Sequence, residues 1–331
     1  MKQLITCILL FFCFSGVNAE NAYTREVSLM GSKMNLTVVA LDQLEGDGYI
    51  DMAVGEISRI EKLISSWDSN SQTSLINNNA GIKPVEVDEE LFNLIHRAVK
   101  ISGLTRGAFD ISYASMDKIW KYDGSMTELP DSRLIEQSIS KVGYGGIVLN
   151  YENQTVFLKL KGMKIGFGAI GKGYAADKAK ALLKSKGVKS GIINASGDLY
   201  AWGKQPDGSD WKVGITNPIN PQKIFSWLPV NNQAVVTSGN YEKYVMFDGV
   251  RYSHIIDPRT GYPSTGVLST TVFAQSAELA DALATSLFVM GVEVGLDFIN
   301  QIDGLECIIV DKNNKLHTST NIKLNPIENE N

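Results

Sequence analysis

The sequence predicts an α+β protein: antiparallel sheets with helices inserted between the strands. Three observations carry this. The strand-like runs are short and alternate apolar with polar residues, as strands with one wetted face do. Blocks with helical spacing interrupt them without the regular strand–helix alternation of a parallel sheet. The composition, 44% hydrophobic and 20% charged over 331 residues, is that of an ordinary globular chain and excludes disordered, collagen-like and coiled-coil readings. No repeat of fixed period is present, so residues 20–331 read as one continuous unit.

The first nineteen residues read as an address. Lys2 is followed by the apolar run Leu4 to Phe14, and Val17-Asn18-Ala19 places small residues where a signal peptidase reads. The run is too short to span a bilayer. A lipid anchor would need a small residue directly before a cysteine; Cys13 follows Phe12 and Cys7 lies too early. The expectation is cleavage after Ala19 and a soluble, exported or periplasmic product.

Residues 23–41 carry two alternating runs joined near Gly31, a strand pair. From 48 to 65, Ile50, Ala53, Val54, Ile57, Ile60 and Ile64 fall at helical spacing. Trp67 to Gly81 is a polar stretch rich in Ser and Asn, read as a long loop. Helices are expected at about 88–102 and, capped by Asp131 after Pro130, at 131–141. Residues 146–150 and 154–160 form a hairpin around Glu152-Asn153. A helix at about 173–187, short strands through 275, a helical pair over 277–300 and two last strands complete the chain.

Lys and Arg number 31 against 36 Asp and Glu, a net charge of −5, with no long basic run. That balance argues against a nucleic-acid partner, which needs clustered cations. Two of the three Cys lie in the signal segment, and Cys307 sits in the apolar run Leu305 to Val310, so it reads as a buried strand residue and no internal disulfide is expected. The three His residues are scattered, unlike a His-rich zinc or copper site.

Three segments carry chemistry. Gly166-Phe-Gly168-Ala-Ile-Gly171-Lys172-Gly173 satisfies G-x-G-x-x-G, and satisfies the phosphate-loop pattern until Gly173 stands where Ser or Thr is required. The preceding run, Thr155 to Ile165, alternates Lys with apolar residues like an antiparallel strand, so neither motif has its context. Two readings stay open: backbone N–H groups and Lys172 approaching a phosphate, or glycines needed for tight packing. In the second segment, Ser276 reads as an N-cap and Gly291 as a C-cap, and Asp281 and Thr285 share one face of an otherwise apolar helix. A hard cation such as Mg²⁺ would satisfy that carboxylate; so would the helix dipole, with Thr285 bonded back to its own helix. The third, Ser253-His254-Ile-Ile-Asp257-Pro258-Arg-Thr-Gly261-Tyr-Pro263, places one histidine in a pre-set turn, as a proton-transfer group, a phosphate contact or a structural residue. Asp257 is expected to stabilise the turn.

Taken in order, six segments resemble the ApbE family of FAD:protein FMN transferases. They are Thr105-Arg-Gly-Ala-Phe-Asp110-Ile-Ser, Gly168-Ala-Ile-Gly-Lys-Gly-Tyr-Ala-Ala-Asp177, Asn194-Ala-Ser-Gly197-Asp198, Thr237-Ser-Gly239, Ser253-His-Ile-Ile-Asp-Pro258 and Ala280-Asp-Ala-Leu-Ala-Thr285. The resemblance runs from about Met30 to the last strands. It implies a T-fold-like architecture, FAD as substrate and a divalent metal, usually Mg²⁺. It implies transfer of FMN to a Thr hydroxyl of an extracytoplasmic acceptor flavoprotein, such as a redox-pump subunit, with release of AMP.

Carried residue by residue, the resemblance places metal ligands at Asp281, Thr285 and the carbonyl of Ala169, with a main-chain contact from Ala284. It places flavin contacts at Met30, Trp67, Ala108, Phe109, Asp110, Lys172 and Ile256, and acid–base help at His254. Many relatives carry an Asp where this chain has Gly166, so that nucleotide contact is absent here or made by backbone. Some members hydrolyse FAD to FMN and AMP, and Trp67 lies in a region able to tune that balance. No Ser-Gly-Ala-Thr acceptor motif occurs in the chain, so a partner is the expected acceptor. The competing readings are an FAD pyrophosphatase and a non-catalytic periplasmic FAD-binding protein.

Overall fold

A computed structural model describes residues 20–216, 224–240 and 243–322. The expected signal segment, residues 1–19, lies outside the described residues. The chain opens with β1 (Asn21–Leu29) and β2 (Ser32–Ala40), joined through Met30 and Gly31. Both turn residues have positive φ, 50° and 70°, the two-residue hairpin geometry whose twist matches the strands.

The helix α1 (Gln43–Ile64) begins five residues before its apolar spacing does. Its start is set by caps, not burial: Asp42 accepts from the Glu45 N–H, and Glu45 reaches back to the Leu41 N–H. The polar stretch after α1 is not one loop. It contains α2 (Gln72–Asn78), capped by the Ser71 hydroxyl accepting from the Ser74 N–H, with Thr73, Ser74 and Ile76 buried. Small polar residues filling a tight interior hid the helix from a reading based on apolar spacing.

Then follow β3 (Val85–Glu86), α3 (Glu89–Leu104), a 3₁₀ turn at Ile111–Ser115, α4 (Ser132–Ser138), β4 (Ile147–Asn150) and β5 (Thr155–Leu158), with β3, β4 and β5 forming a small antiparallel sheet. Asp131 caps α4 as expected, through the Arg133 N–H. The expected long strand from Thr155 stops at Leu158, where the chain turns through Gly162 at φ 77°.

Next come α5 (Gly171–Ser185), β6 (Gly191–Ala195) and β7 (Asp198–Trp202), then the hairpin β8 (Trp211–Thr216) and β9 (Ile224–Val230). After β10 (Gln233–Gly239) a second hairpin, β11 (Tyr244–Phe247) and β12 (Val250–Ser253), leads to β13 (Val267–Ala274). The helices α6 (Ala277–Met290) and α7 (Val292–Ile299), then β14 (Glu306–Asp311) and β15 (Leu316–Thr318), end the described chain.

Eight of these strands form one antiparallel sheet in the order β1-β2-β6-β7-β10-β13-β14-β15, which is chain order with insertions between neighbours. One face carries α1, α5 and α6 over a core that includes Leu36, Ile193, Trp202, Val236, Val272 and Ile309. The other face is covered by the β8–β9 hairpin, whose Trp211, Ile215 and Val230 pack on Val39, Ala201, Val235, Phe273 and Ile308. Alternate residues of the same strands thus serve two cores. Cys307 is fully buried in β14, and burial pushes its thiol up to about 12, so it is inert as a nucleophile at neutral pH.

Candidate active site

The starts of α5 and β7, the end of β10 and the middle of α6 meet around a cavity of about 380 Å³. Its first wall is the glycine turn. Gly171 and Gly173 are required by close approach: a Cβ at Gly171 would lie 2.7 Å from Ile64 Cδ1, and one at Gly173 would lie 2.1 Å from the Ala277 carbonyl oxygen. The packing reading of these glycines therefore holds, and the approach of α5 to α6 sets up the polar part of the site. The Gly173 N–H donates to Asp281 Oδ2 at 3.1 Å, while Gly168, Ala169 and Lys172 line the cavity.

Asp281 is 4% exposed. Burial, and then the neighbouring Asp198, raise its carboxyl well above the usual carboxylate range; Lys172 and the backbone N–H groups of Gly173 and Lys172 pull it back only in part. Thr285, one turn further along α6, faces the same cavity, with its hydroxyl 3.3 Å from Ser238 Oγ. A carboxylate held this way and a hydroxyl beside it are hard oxygen donors with too little positive charge around them. They fit a hard divalent cation that shares its remaining positions with water or phosphate oxygens. Among the described residues no group of three or more His, Cys, Asp or Glu forms a ready-made metal centre.

The third wall is Asp198, the first residue of β7. It follows a two-residue turn, Ser196-Gly197, with φ of 60° and 97°, and pairs with Ala195 on one side and Val236 on the other. Its carboxylate lies 2.7 Å from Lys172 Nζ. Burial raises the Asp198 carboxyl and Lys172 opposes that rise.

Opposite stand two loops. In the first, Ala108, Phe109 and Asp110 reach the cavity, and Asp110 is also a structural tie. Its oxygens accept from the Ser112 and Tyr144 N–H groups at 2.8 and 2.7 Å, bonds that offset part of the rise burial imposes on its carboxyl. In the second, His254 and Ile256 face in beside Pro258. The His254 ring Nδ1 lies 3.1 Å from the Lys243 carbonyl oxygen. A neutral imidazole donating that bond carries its lone pair on Nε2. The turn behind it is fixed by Asp257, whose carboxylate grips Arg259 at two points of 2.8 Å, as expected of a turn residue.

The structure brings together Ala108, Phe109, Asp110, Ala169, Lys172, His254, Ile256, Asp281 and Thr285 on one cavity. Four of the expected site residues are elsewhere. Met30 sits at the β1–β2 turn, its methyl 3.6 Å from where a Gly171 Cβ would be, behind the glycine turn. Trp67 is 84% exposed with Lys118 Nζ 4.8 Å from its ring centre. Gly166 donates its N–H to the Ile111 carbonyl, and Ala284 is fully buried within α6. The cavity also takes in Tyr113, Ser196, Asp198, Thr237, Ser238 and Lys243, to which sequence reasoning assigned no role. The Ser-Gly turn between two strand-like runs was the available signal for Asp198.

Comparison with known proteins gives a consistent answer. Residues 30–309 match the model of the ApbE family. A Klebsiella pneumoniae protein named FAD:protein FMN transferase is 31% identical over 313 residues, covering 93% of this chain and 96% of the relative. A Treponema pallidum protein of the same name is 31% identical over 277 residues, covering 79% of this chain and 76% of its own. The crystal structure of the ApbE protein of Thermotoga maritima superposes with a TM-score of 0.82 at 30% identity, covering 90% of this chain and 97% of that one.

Proposed function

The chain belongs to the ApbE family, and from that premise we propose that it is an exported FAD:protein FMN transferase. In this reading it binds FAD, breaks the pyrophosphate link and attaches FMN by a phosphoester to a Thr of an acceptor flavoprotein, releasing AMP. The observation that carries the reading is the buried Asp281 beside Thr285, with Lys172 and the His254 imidazole on the same cavity. Export rests on the apolar run Leu4 to Phe14 and the small residues before Glu20.

Asp281 and Thr285 would hold Mg²⁺, with the Ala169 carbonyl from the facing wall; when bound, the ion supplies positive charge to phosphate oxygens. The protein's own groups do the rest. The Lys172 ammonium binds the pyrophosphate. Ala108, Phe109 and Ile256 give the flavin an apolar wall and limit water. The acceptor hydroxyl oxygen bonds to the FMN phosphorus while the P–O bond to AMP breaks, and its proton passes to His254 Nε2. Little covalent work falls to the protein, so placement and charge dominate.

The test is AMP release from FAD and Mg²⁺, with and without a Thr-containing acceptor fragment. AMP with a flavin-labelled acceptor supports the transferase; AMP and free FMN regardless of acceptor would replace it with a pyrophosphatase. FAD binding without AMP would leave a binding protein and remove the mechanism.

A further inference from the structure

His254 follows directly on β12, and a distant segment of the chain grips the backbone around it. Residues 116–131, between the 3₁₀ turn and α4, form no helix or strand, yet Trp120 is buried. Its indole N–H donates to the Gly261 carbonyl at 2.9 Å, and its ring stacks on that of Tyr252 with centres 6.1 Å apart. Two residues on, the Tyr122 hydroxyl donates to the Ser253 carbonyl at 2.8 Å. The Tyr122 ring also meets the His254 ring edge to face, centres 6.4 Å apart. Burial pushes the Tyr122 phenol above its usual range, so the hydroxyl keeps its proton and stays a donor. The Lys243 carbonyl, for its part, lies 3.1 Å from both the backbone nitrogen and the ring Nδ1 of His254.

Building on the flavin-transfer reading above, we propose that Tyr122 is a positioning residue for His254. Its hydroxyl fixes the peptide that leads into the histidine, and its ring restricts the imidazole to the rotamer that Lys243 bonds, leaving Nε2 for the acceptor proton. A hydrogen bond at an exposed imidazole competes with water. The contact with Tyr122, itself carried by a segment anchored through Trp120, narrows the ring's freedom, and proton transfer depends on such placement.

The test reads the imidazole nitrogens of ¹⁵N-labelled protein by NMR, without nucleotide, in mildly alkaline buffer where an ordinary imidazole is neutral. His254→Ala tells its signals from those of His96 and His317. In wild type, His254 should show one protonated and one bare nitrogen, the pattern of a fixed Nδ1–H tautomer. Tyr122→Phe keeps the ring and removes only the hydroxyl, with circular dichroism as the check on folding. Its two His254 signals should move toward each other as the ring samples both tautomers. AMP release at saturating FAD and acceptor fragment should fall about tenfold with KM for FAD unchanged, part of what a positioned acid–base group contributes. Added to His254→Ala, the same substitution should cost nothing further.

Wild-type signals already averaged overturn the proposal without any variant, and so do signals that stay in place in Tyr122→Phe. Moved signals with unchanged AMP release overturn it too, because the position held would not matter to transfer. An equal loss of activity in the wild-type and His254→Ala backgrounds would put the effect of Tyr122 elsewhere and has the same consequence. No AMP from the wild type removes the flavin-transfer reading alone, since the nitrogen signals still decide whether Tyr122 holds the imidazole.

Discussion

The helices α5 and α6 are tied by the same kind of bond at two places, and the two ties have opposite fates. At one, Asp177 of α5 accepts from the Ser276 hydroxyl at 2.8 Å and the Glu278 N–H at 3.0 Å, capping α6. Lys180 stands 3.2 Å away to balance its charge. At the other, Asp281 of α6 accepts from the Gly173 N–H of α5, but burial and Asp198 leave its charge poorly met. The first tie is satisfied and structural. The second is left short of positive charge inside a cavity. A carboxylate's role here follows from how far its surroundings satisfy it, not from its place on a helix.

The most severe way to break the comparison is to separate the helices. Gly173→Ala would drive a Cβ to 2.1 Å from the Ala277 carbonyl oxygen and 2.9 Å from Asp281 Cβ. We expect a loss of about 3 kcal/mol in urea unfolding, and an unchanged midpoint would show that the contact relaxes freely.

Asp281→Asn separates function from stability. AMP release should fall about a hundredfold or more, yet the metal-free variant should melt above wild type at pH 7. The sign follows from the raised carboxyl. Wild-type stability relative to the variant is greatest below the unfolded carboxylate value and is lost as pH rises toward the folded one. The advantage of Asn should therefore grow from acid to neutral pH. A variant less stable than wild type at pH 7 without metal would mean that Asp281 is already satisfied.

Asp177→Ala should do the reverse, costing about 1 kcal/mol of stability with AMP release retained at saturating metal. The smallest effect is expected at Glu90, exposed on one side and bonded to Arg59, Lys178 and Tyr174. Those partners hold its carboxyl at about 2. Its contribution is present above the unfolded value and lost as pH falls toward 2, so Glu90→Gln should flatten the acid limb of stability by less than about 1 kcal/mol. An acid limb identical to wild type would show the network to be neutral.

Periodic and capping signals made much of this fold legible before any coordinates. The strand pair at the start, the helix through Ile50, Ile57 and Ile64, the Ser276 and Gly291 caps and the buried Cys307 all rest on local pattern. The start of α1 and the whole of α2 were not, because short polar side chains define them. At the site, residues within ordered motifs were legible, including the shared face of Asp281 and Thr285. The pairing of Asp198, itself in one of those motifs, with Lys172 was not. Its partner lies on another element, and its burial is made by the packing of sheet against helices, which no spacing in the chain records.

The large sheet is laid down strand by strand in chain order, while the cavity walls come from the insertions and turns between its strands. One consequence concerns time. A chain still being synthesised lacks Asp281 and Thr285 until nearly all of the sheet has been made. The two strands that follow α6 then pair onto β13 and one another and close the edge. The helix that carries Asp281 and Thr285 thus joins the cavity only after six strands of that sheet have been made, and β14 and β15 then complete the sheet beside it.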